Sequence, residues 1–353
     1  PLMEEGKISY AVYTGAFKDE TGTDYMALSR RALICRVPVF TALDTADAAA
    51  NVIAGGFSEG NTELVDLGAM RTEKQKIAFA KMEATGDDYI FIDNRDGSIT
   101  CPESLALTLC DRHRGIGGDG LVLIERSDIA DVKMRSFNRD GSEGRMAGNS
   151  IRSVGKYVYD RGILPKTTLT VETASGVHTL TLYTRDGAVT LCGVTMGKAD
   201  FAAASLPALT DKAELVNAPL TVGGKTCTVT CLSVGNPHCV VFDDRIDALD
   251  LETLGPQFEH APIFPERINT EFVRVVNRNM LKMRVYERGN GETPACGTGA
   301  CAAVVAAVRL GLCAADEDVT VKVRGGDLVV RVSAQGITLT GETGLVFEGV
   351  VYA

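Results

Sequence analysis

The stretch that decides the fold is residues 287–301, which read Glu-Arg-Gly-Asn-Gly-Glu-Thr-Pro-Ala-Cys-Gly-Thr-Gly-Ala-Cys. It follows residues 283–286, whose alternating pattern predicts a strand, and it continues into an alanine- and valine-rich run over 300–310 that predicts a helix. Gly311 is a typical stop signal for that helix. Cys296 is therefore predicted to lie at the N-terminal edge of a helix, after a glycine-rich turn.

This position gives Cys296 a specific chemistry. The first backbone N–H groups of a helix have no partner within the helix, and the helix dipole is positive at that end. Such an end can hold a substrate carboxylate and can lower the pKa of a neighbouring cysteine. The sequence thus predicts a thiolate beside a carboxylate-binding turn. The alternative is a buried cysteine in a tight connection, which is our interpretation of Cys301.

A second stretch repeats this pattern 149 residues earlier. Residues 138–150 read Asn-Arg-Asp-Gly-Ser-Glu-Gly-Arg-Met-Ala-Gly-Asn-Ser and precede another predicted helix. The matched pairs are Gly148 with Gly297, Asn149 with Thr298, and Ala147 with Cys296. An offset that stays constant through turn, helix and following strand indicates a duplicated unit. Two such units facing each other would direct two helix N-termini into one cleft.

From about residue 76 onward, the chain resembles the diaminopimelate epimerase family. The resemblance covers roughly 275 residues and is carried by several separated motifs, which are Met82-Glu-Ala-Thr-Gly-Asp87-Asp-Tyr89, Arg112-His-Arg-Gly-Ile-Gly-Gly-Asp-Gly120, the 138–149 block, Gly235-Asn236-Pro-His238, Asn269 and the 287–298 block. It implies a cofactor-independent isomerase that interconverts L,L- and meso-diaminopimelate for lysine and peptidoglycan synthesis. It also implies two cysteines, of which one removes the α-proton on one face and the other returns a proton on the opposite face. Cys296 matches one of them, but Ala147 stands at the position of its partner, so we expect impaired epimerisation.

The resemblance also implies which residues bind the substrate. Glu287 and Arg288 would contact its amino and carboxylate groups, and four asparagines would supply further hydrogen bonds. The full expected set is Asp87, Asn138, Gly148, Asn149, Asn236, Asn269, Glu287, Arg288, Gly297 and Thr298, with no metal and no cofactor. His238 is interpreted as a structural group. Asp87 departs from the asparagine that the family has there, and Glu83 is also unusual in its motif, which favours natural divergence over a designed substitution at position 147.

Composition and charge exclude several classes of function. The net charge is −10 and the sequence has no polybasic run, which gives no reason to expect a nucleic-acid partner. The sequence has neither an apolar run approaching a membrane span nor a signal peptide, so a cytoplasmic protein without a membrane partner is expected. The ten cysteines lack paired metal-binding spacings and are interpreted as mostly reduced thiols. The expected partner is a small amino-acid substrate, and a homodimer is left open.

We predict an α+β fold with two pseudo-symmetric domains, each a curved mixed sheet around a central helix, with the cleft between them. Residues 76–193 together with 343–353 would form the first domain, and residues 194–342 the second. Residues 1–73 are predicted to be a partial α/β segment. It contains a stretch that includes the runs Leu28-Ser-Arg-Arg-Ala-Leu and Val37-Pro-Val-Phe-Thr-Ala-Leu-Asp-Thr-Ala-Asp-Ala and ends at Thr62-Glu-Leu-Val-Asp. This stretch resembles the methylglyoxal-synthase-like C-terminal end of the carbamoyl-phosphate synthase large chain, and an inert remnant is the favoured interpretation.

Three functions remain open from the sequence. The first is a diaminopimelate epimerase-type isomerase, impaired by Ala147. The second is an amino-acid-binding protein that keeps the cleft and has lost epimerisation. The third is an isomerase or racemase of the same fold that uses one acid/base, such as Cys296 or Glu143, on another amino acid.

Overall fold

The computed structural model describes residues 2–13, 21–54, 75–144 and 148–353. The chain divides into two compact units, Pro1–Glu73 and Lys74–Ala353. Among the described helices, none combines the length and apolar composition that a membrane crossing needs.

The described part of the first unit contains two short strands and two helices. They are β1 (Ala11–Val12), α1 (Thr21–Ile34), β2 (Val39–Phe40) and α2 (Leu43–Ala54). Strand β1 pairs in parallel with β2, as expected for the predicted partial α/β segment. The end of the stretch that resembles carbamoyl-phosphate synthase, residues 62–66, lies outside the described residues, and that resemblance stays a prediction.

The first half of the second unit contains eight strands and two helices in its described residues. They are β3 (Lys76–Ala84), β4 (Asp87–Asp93), α3 (Pro102–Leu109), β5 (Gly120–Glu125), β6 (Val132–Asn138), β7 (Glu143–Gly144), α4 (Ser150–Asp160), β8 (Thr168–Thr173), β9 (Gly176–Arg185) and β10 (Ala188–Gly197).

The second half is described without gaps. Its elements are β11 (Ala218–Val222), β12 (Lys225–Ser233), β13 (Pro237–Phe242), α5 (Leu251–Glu259), β14 (Asn269–Asn277), β15 (Met280–Glu287), β16 (Gly291–Thr293), α6 (Gly297–Arg309), β17 (Asp318–Val323), β18 (Gly326–Ser333), β19 (Gly336–Glu342) and β20 (Gly344–Tyr352). Two short 3₁₀ helices, Ala203–Ser205 and Ile246–Ala248, lie in the connections.

The two halves repeat one another along most of their length. The starts of β3 and β12, of α3 and α5, and of β5 and β14 are each separated by the same 149 residues. Pairing repeats as well, because β4–β5 and β13–β14 are parallel while β5–β6 and β14–β15 are antiparallel. The repeat therefore extends upstream of the 138–176 region in which the sequence shows it. This arrangement confirms the predicted α+β fold with two pseudo-symmetric parts.

Two buried helices organise the core of this unit. In α6 the residues from Gly299 to Ala307 are buried, and in α4 Ile151, Val154 and Val158 are fully buried. Small side chains let strands approach closely: a β-carbon at Gly155 of α4 would lie 2.7 Å from Cδ2 of Leu182. Each large apolar side chain buried against these helices contributes about 1.5–3 kcal/mol to the stability of the fold. The alanine-rich composition of α6 thus reflects a helix surrounded by strands.

The last strand closes the unit. Strand β20 pairs antiparallel with β3, so the end of the chain returns to the first half. Strand β10 of the first half also pairs with β19 of the second half. These two connections fix the halves against each other and thereby fix the N-termini of α4 and α6.

Candidate functional site

A cavity of about 2030 Å³ opens beside the N-termini of α4 and α6. Gly148 and Asn149 line it from the α4 end, and Gly297 and Thr298 line it from the α6 end. The two ends meet, because a β-carbon built on Gly148 would lie 4.0 Å from Cα of Gly297. This confirms the prediction that two helix N-termini face one cleft. Ala147, the expected counterpart of Cys296, lies outside the described residues.

Cys296 is the N-cap residue of α6, as its sequence context predicts. Its backbone is extended (φ −135°, ψ 115°), and its Sγ accepts a hydrogen bond from the Gly299 N–H at 3.4 Å. The hydroxyl of Thr298 lies 3.4 Å from the same sulfur. Cys296 is only 7% exposed, yet it lines the cavity. The thiol therefore sits at a helix end, within reach of a molecule in the cavity.

The predicted low pKa of Cys296 is wrong for the free pocket. Burial raises the pKa of this thiol well above its usual value, and the negative charges of Glu287 and Glu271 raise it further. The hydrogen bonds from Thr298 and Gly299 act in the opposite direction and do not compensate. A helix end contributes at most about 2 kcal/mol, whereas desolvation of a fully buried group shifts a pKa by up to about 3–5 units. Arg288, expected to help, donates from Nη1 to the Glu266 carbonyl at 3.1 Å.

A chain of hydrogen bonds leads from the sulfur into the protein interior. Nδ2 of Asn236 donates to Oγ1 of Thr298 at 3.4 Å. Oδ1 of Asn236 lies 2.9 Å from Nε2 of His238, and Nδ1 of His238 lies 2.7 Å from Oε1 of Glu271. The His238 and Glu271 side chains are fully buried. His238 thus orients the Asn236 amide, in keeping with the structural role predicted for it.

The first half contains the equivalent arrangement around Asp87. Nδ2 of Asn149 donates to Oδ2 of Asp87 at 2.6 Å. The offset of 149 pairs Asn149 with Thr298 and Asp87 with Asn236, so the same two positions are bonded in both halves. Behind Asn149 lies the fully buried Arg152, whose Nη1 donates to Oδ1 of Asn149 at 3.0 Å.

Asp87 has an unusual charge environment. Burial raises the pKa of its carboxyl group to about 7, and the negative charges of Glu287 and Asp119 add to this effect. The hydrogen bond from Asn149 and the positive charge of Arg152 act in the opposite direction. Asp87 can therefore exchange a proton near neutral pH. Perturbed carboxyls that line a cavity are candidates for acid/base chemistry.

Comparisons with known proteins identify the family. The family model described as diaminopimelate epimerase matches residues 79–202 and 230–346. The diaminopimelate epimerase of Acetivibrio thermocellus is 47% identical over 275 residues, which are 77% of this chain and 98% of that protein. That of Desulfovibrio desulfuricans is 46% identical over 284 residues, with 78% and 98% covered. The chain belongs to the diaminopimelate epimerase family. Its members are isomerases, as the sequence motifs imply.

Solved structures with this fold are more distant. The chain is similar to a phenazine biosynthesis protein of the PhzF family from Bacillus anthracis, with a TM-score of 0.59, 17% identity, and 79% of this chain and 100% of that chain covered. It is also similar to a hydroxyproline epimerase from Agrobacterium vitis, with a TM-score of 0.59, 15% identity, and 79% and 93% covered. At these identities the likeness shows the shared fold alone.

The other residues expected from the diaminopimelate epimerase family occupy different positions around the cavity. Glu287 and Arg288 line it, and Glu287 accepts a hydrogen bond from the hydroxyl of Thr293. Asn138 also lines it, with Nδ2 donating to Oγ of Ser142 at 2.9 Å. Asn269 lies behind the wall. All four positions belong to turns or strand ends that the two halves bring together.

Asn269 uses its amide on the backbone. Its Nδ2 donates to the Pro237 carbonyl at 2.8 Å, and its Oδ1 accepts from the Arg288 N–H at 3.0 Å. It is 5% exposed. The residue thereby fixes the turn that carries Arg288, and its expected contact with substrate stays a prediction.

Sequence reasoning missed Arg152 and Asp119 as parts of this site. Arg152 is a cation on the buried face of α4, among Ile151, Val154 and Val158. Because a charged side chain is rarely buried without a partner, its position in this apolar pattern could have identified it. Asp119 lies at the end of a glycine-rich loop and accepts from the Asp88 N–H at 3.1 Å. Asp119 is distant from Asp87 in the sequence, and only the fold brings its charge close enough to raise the pKa of Asp87. Among the described residues, no group of three His, Cys, Asp or Glu side chains suits a metal ion.

Proposed function

We propose that this chain interconverts L,L- and meso-diaminopimelate by proton transfer at the α-carbon, without a cofactor. Membership of the family and relatives at 41–47% identity support the substrate. The single observation that carries the chemistry is the position of Cys296, which caps α6 where that helix meets the N-terminus of α4. A proton acceptor there would lie beside the first backbone N–H groups of two helices.

The two helix ends would bind the carboxylate next to the reacting carbon. An amino-acid α-proton is very weakly acidic, so its removal requires electrostatic stabilisation of the charge that moves into that carboxylate. Backbone N–H groups around Gly148 and Gly297 would supply this stabilisation, because the fold holds them in place before the reaction. The same ends hold the substrate's carboxylate in the ground state through the helix dipoles.

Substrate binding would also activate Cys296. Glu287 is one of the two carboxylates that raise the pKa of this thiol, and the resemblance assigns it to the substrate's ammonium group. An ammonium placed against Glu287 neutralises that charge, which lowers the pKa of Cys296 and favours the thiolate. The thiolate then takes the α-proton, and the electron pair of the broken C–H bond moves into the carboxylate. The thiol is thus reactive chiefly when substrate is present.

Proton transfer on the face of the α-carbon opposite Cys296 is expected to be the slow step of the reaction. Ala147 holds the position that matches Cys296 and cannot carry a proton, so turnover is expected to be lower than with a thiol there. A positioned acid/base typically contributes ~10²–10⁴-fold. We place the activity in the cytoplasm, where thiols stay reduced. A homodimer is compatible with this proposal. Residues 1–73 enter the proposal as an inert remnant.

The experiment measures epimerisation of L,L-diaminopimelate by chiral chromatography for the unmodified chain, Ala147→Cys and Cys296→Ala. We expect slow turnover, a rise of ~10²-fold or more with Ala147→Cys, and loss with Cys296→Ala. Calorimetric binding of the substrate to all three proteins checks that the pocket persists. Binding without epimerisation in both the unmodified chain and Ala147→Cys would instead identify an amino-acid-binding protein.

A further inference from the structure

The two halves carry different side chains at one pair of equivalent positions, Asp87 and Asn236. Asn236 in the second half is linked through Thr298 to Cys296, with both contacts at 3.4 Å. Its counterpart in the first half is Asp87, linked to Asn149 at 2.6 Å. Asn149 is two residues after position 147. A carboxyl group therefore lies beside the N-terminus of α4, in the half whose sequence lacks the thiol.

The contacts of Asp87 leave one of its oxygens available. Asn149 donates to Oδ2, and among the described side chains and backbone groups no hydrogen bond reaches Oδ1. Asp87 is partly exposed and lines the cavity together with Cys296. Arg152 holds Oδ1 of Asn149 at 3.0 Å, so the Asn149 amide is oriented with its N–H toward Asp87. Among the described residues, the carboxyl group is thus held through one oxygen, and its side chain lines the cavity.

We propose that Asp87 is the acid/base that serves the α4 face of the substrate, in the role that position 147 cannot fill. This inference rests on the proposed function. In one direction the Cys296 thiolate takes the α-proton, and the protonated Asp87 carboxyl donates its proton to the opposite face of the same carbon. In the other direction the Asp87 carboxylate takes the proton and the Cys296 thiol returns one. One C–H bond breaks, one C–H bond forms, and no oxidant or reductant is required.

The environment keeps Asp87 suited to both directions. Its pKa is raised to about 7, chiefly by burial, so that both protonation states are populated near neutral pH. General acid/base groups work best when their pKa lies near the working pH. The Asn236 amide at the equivalent position cannot exchange a proton in this way. The half that lacks the cysteine therefore carries a carboxyl group, Asp87, where the half that contains Cys296 carries the amide of Asn236.

The test separates the two faces by isotope exchange. In deuterium oxide, L,L- and meso-diaminopimelate are supplied separately, and deuterium at the α-carbon is measured by mass spectrometry at early times. The variants are Asp87→Asn, which is isosteric and keeps an oxygen acceptor for Asn149, and Cys296→Ala. Asp140→Asn is the matched control, because Asp140 is a carboxylate on the cavity rim that accepts from the Ser142 N–H at 2.9 Å.

The expected result is a complementary loss. Asp87→Asn abolishes exchange from one isomer, retains it from the other, and lowers epimerisation by ~10²-fold or more; Cys296→Ala does the converse. Adding Ala147→Cys to Asp87→Asn restores epimerisation, because a thiol then supplies the missing proton. The proposal is overturned if Asp87→Asn epimerises like the control, or if it only weakens substrate binding. It is also overturned if the unmodified chain exchanges one isomer alone, a result that leaves the proposed function intact. Failure of the unmodified chain to exchange either isomer would contradict the proposed function itself.

Discussion

Gly297 is packed more tightly than Gly148, although the two residues are equivalent in the two halves and face each other. A β-carbon at Gly297 would lie 2.9 Å from Cδ2 of Leu339 and 3.3 Å from Oδ1 of Asn149. Among the described residues, the nearest atom to a β-carbon at Gly148 would be Cε of Met196 at 3.8 Å. The junction of α4 and α6 is therefore tight on one side only.

This difference predicts unequal costs for the same substitution. Gly297→Ala is expected to lower the free energy of unfolding by about 1–3 kcal/mol, because the new methyl group overpacks the junction. Gly148→Ala should change it far less, since its methyl group makes ordinary contacts. Urea unfolding of the two variants and the unmodified chain gives the comparison. Equal losses in both variants would show that the halves do not meet as described.

The reactivity of Cys296 is expected to depend on Glu287. In the free protein, iodoacetamide should modify the exposed Cys101 first and the buried Cys296 and Cys301 slowly. Glu287→Gln removes a negative charge that raises the pKa of Cys296. Alkylation of Cys296 should then begin at lower pH, as followed by mass spectrometry of peptides.

Cys301 is the internal control for that measurement. Burial raises the pKa of its thiol to about 12, and Arg152 is the charge that acts on it, so Glu287→Gln should leave its pH dependence unchanged. A shift shared by both cysteines would mean that the variant loosens the core around α6. No shift at either would contradict the electrostatic account of Cys296.

Much of the site's location follows from local sequence, whereas its electrostatics do not. Alternation before Glu287, glycines in the turn and alanines after Cys296 are local signals, and they predicted the strand, the turn and the helix cap. The pKa of Cys296 depends instead on burial and on Glu271, which lies on β14 and reaches the site only through sheet pairing. The prediction that Cys296 lies at a helix end was therefore correct, whereas the prediction that this position lowers the pKa of its thiol was wrong.

The full extent of the duplication could also not be predicted from the sequence alone. Residues 138–150 and 287–299 share the pairs Glu143/Glu292 and Gly148/Gly297 at the offset of 149, and this similarity is visible in the sequence. Strands β3 and β12 begin 149 residues apart as well, but they share few side chains, because many apolar sequences satisfy a buried strand. The equivalence of Asp87 and Asn236 emerges only once the strands before them are aligned in space.

Asp87 is expected to destabilise the folded protein at alkaline pH. Its pKa is raised from 3.8 to about 7 on folding, so between these values the folded state binds more protons than the unfolded state. Stability from this group therefore falls as pH rises through that window and stays low above it. Asp87→Asn should raise the melting temperature more at pH 8 than at pH 5, as measured by calorimetry.

Burial is the main cause of the raised pKa of Asp87, and three charged neighbours modify it. Glu287 and Asp119 raise the pKa of Asp87, and Arg152 lowers it. Asp140→Asn again serves as the control, because this exposed carboxylate has its pKa lowered by hydrogen bonds from Ser142, and its replacement should not stabilise at pH 8. A melting temperature of Asp87→Asn below that of the unmodified chain at pH 8 would contradict the raised pKa.

The most direct test of the central claim, that this cavity moves a proton at an α-carbon through Cys296, is the isotopic content of the product. L,L-diaminopimelate is incubated in deuterium oxide with the unmodified chain or with Cys296→Ala, and any meso-diaminopimelate is isolated and analysed by mass spectrometry. The account predicts meso product from the unmodified chain with one deuterium at the inverted carbon, and no product from Cys296→Ala. Product formed at the unmodified rate by Cys296→Ala, or an inverted carbon that keeps its original proton, would contradict it.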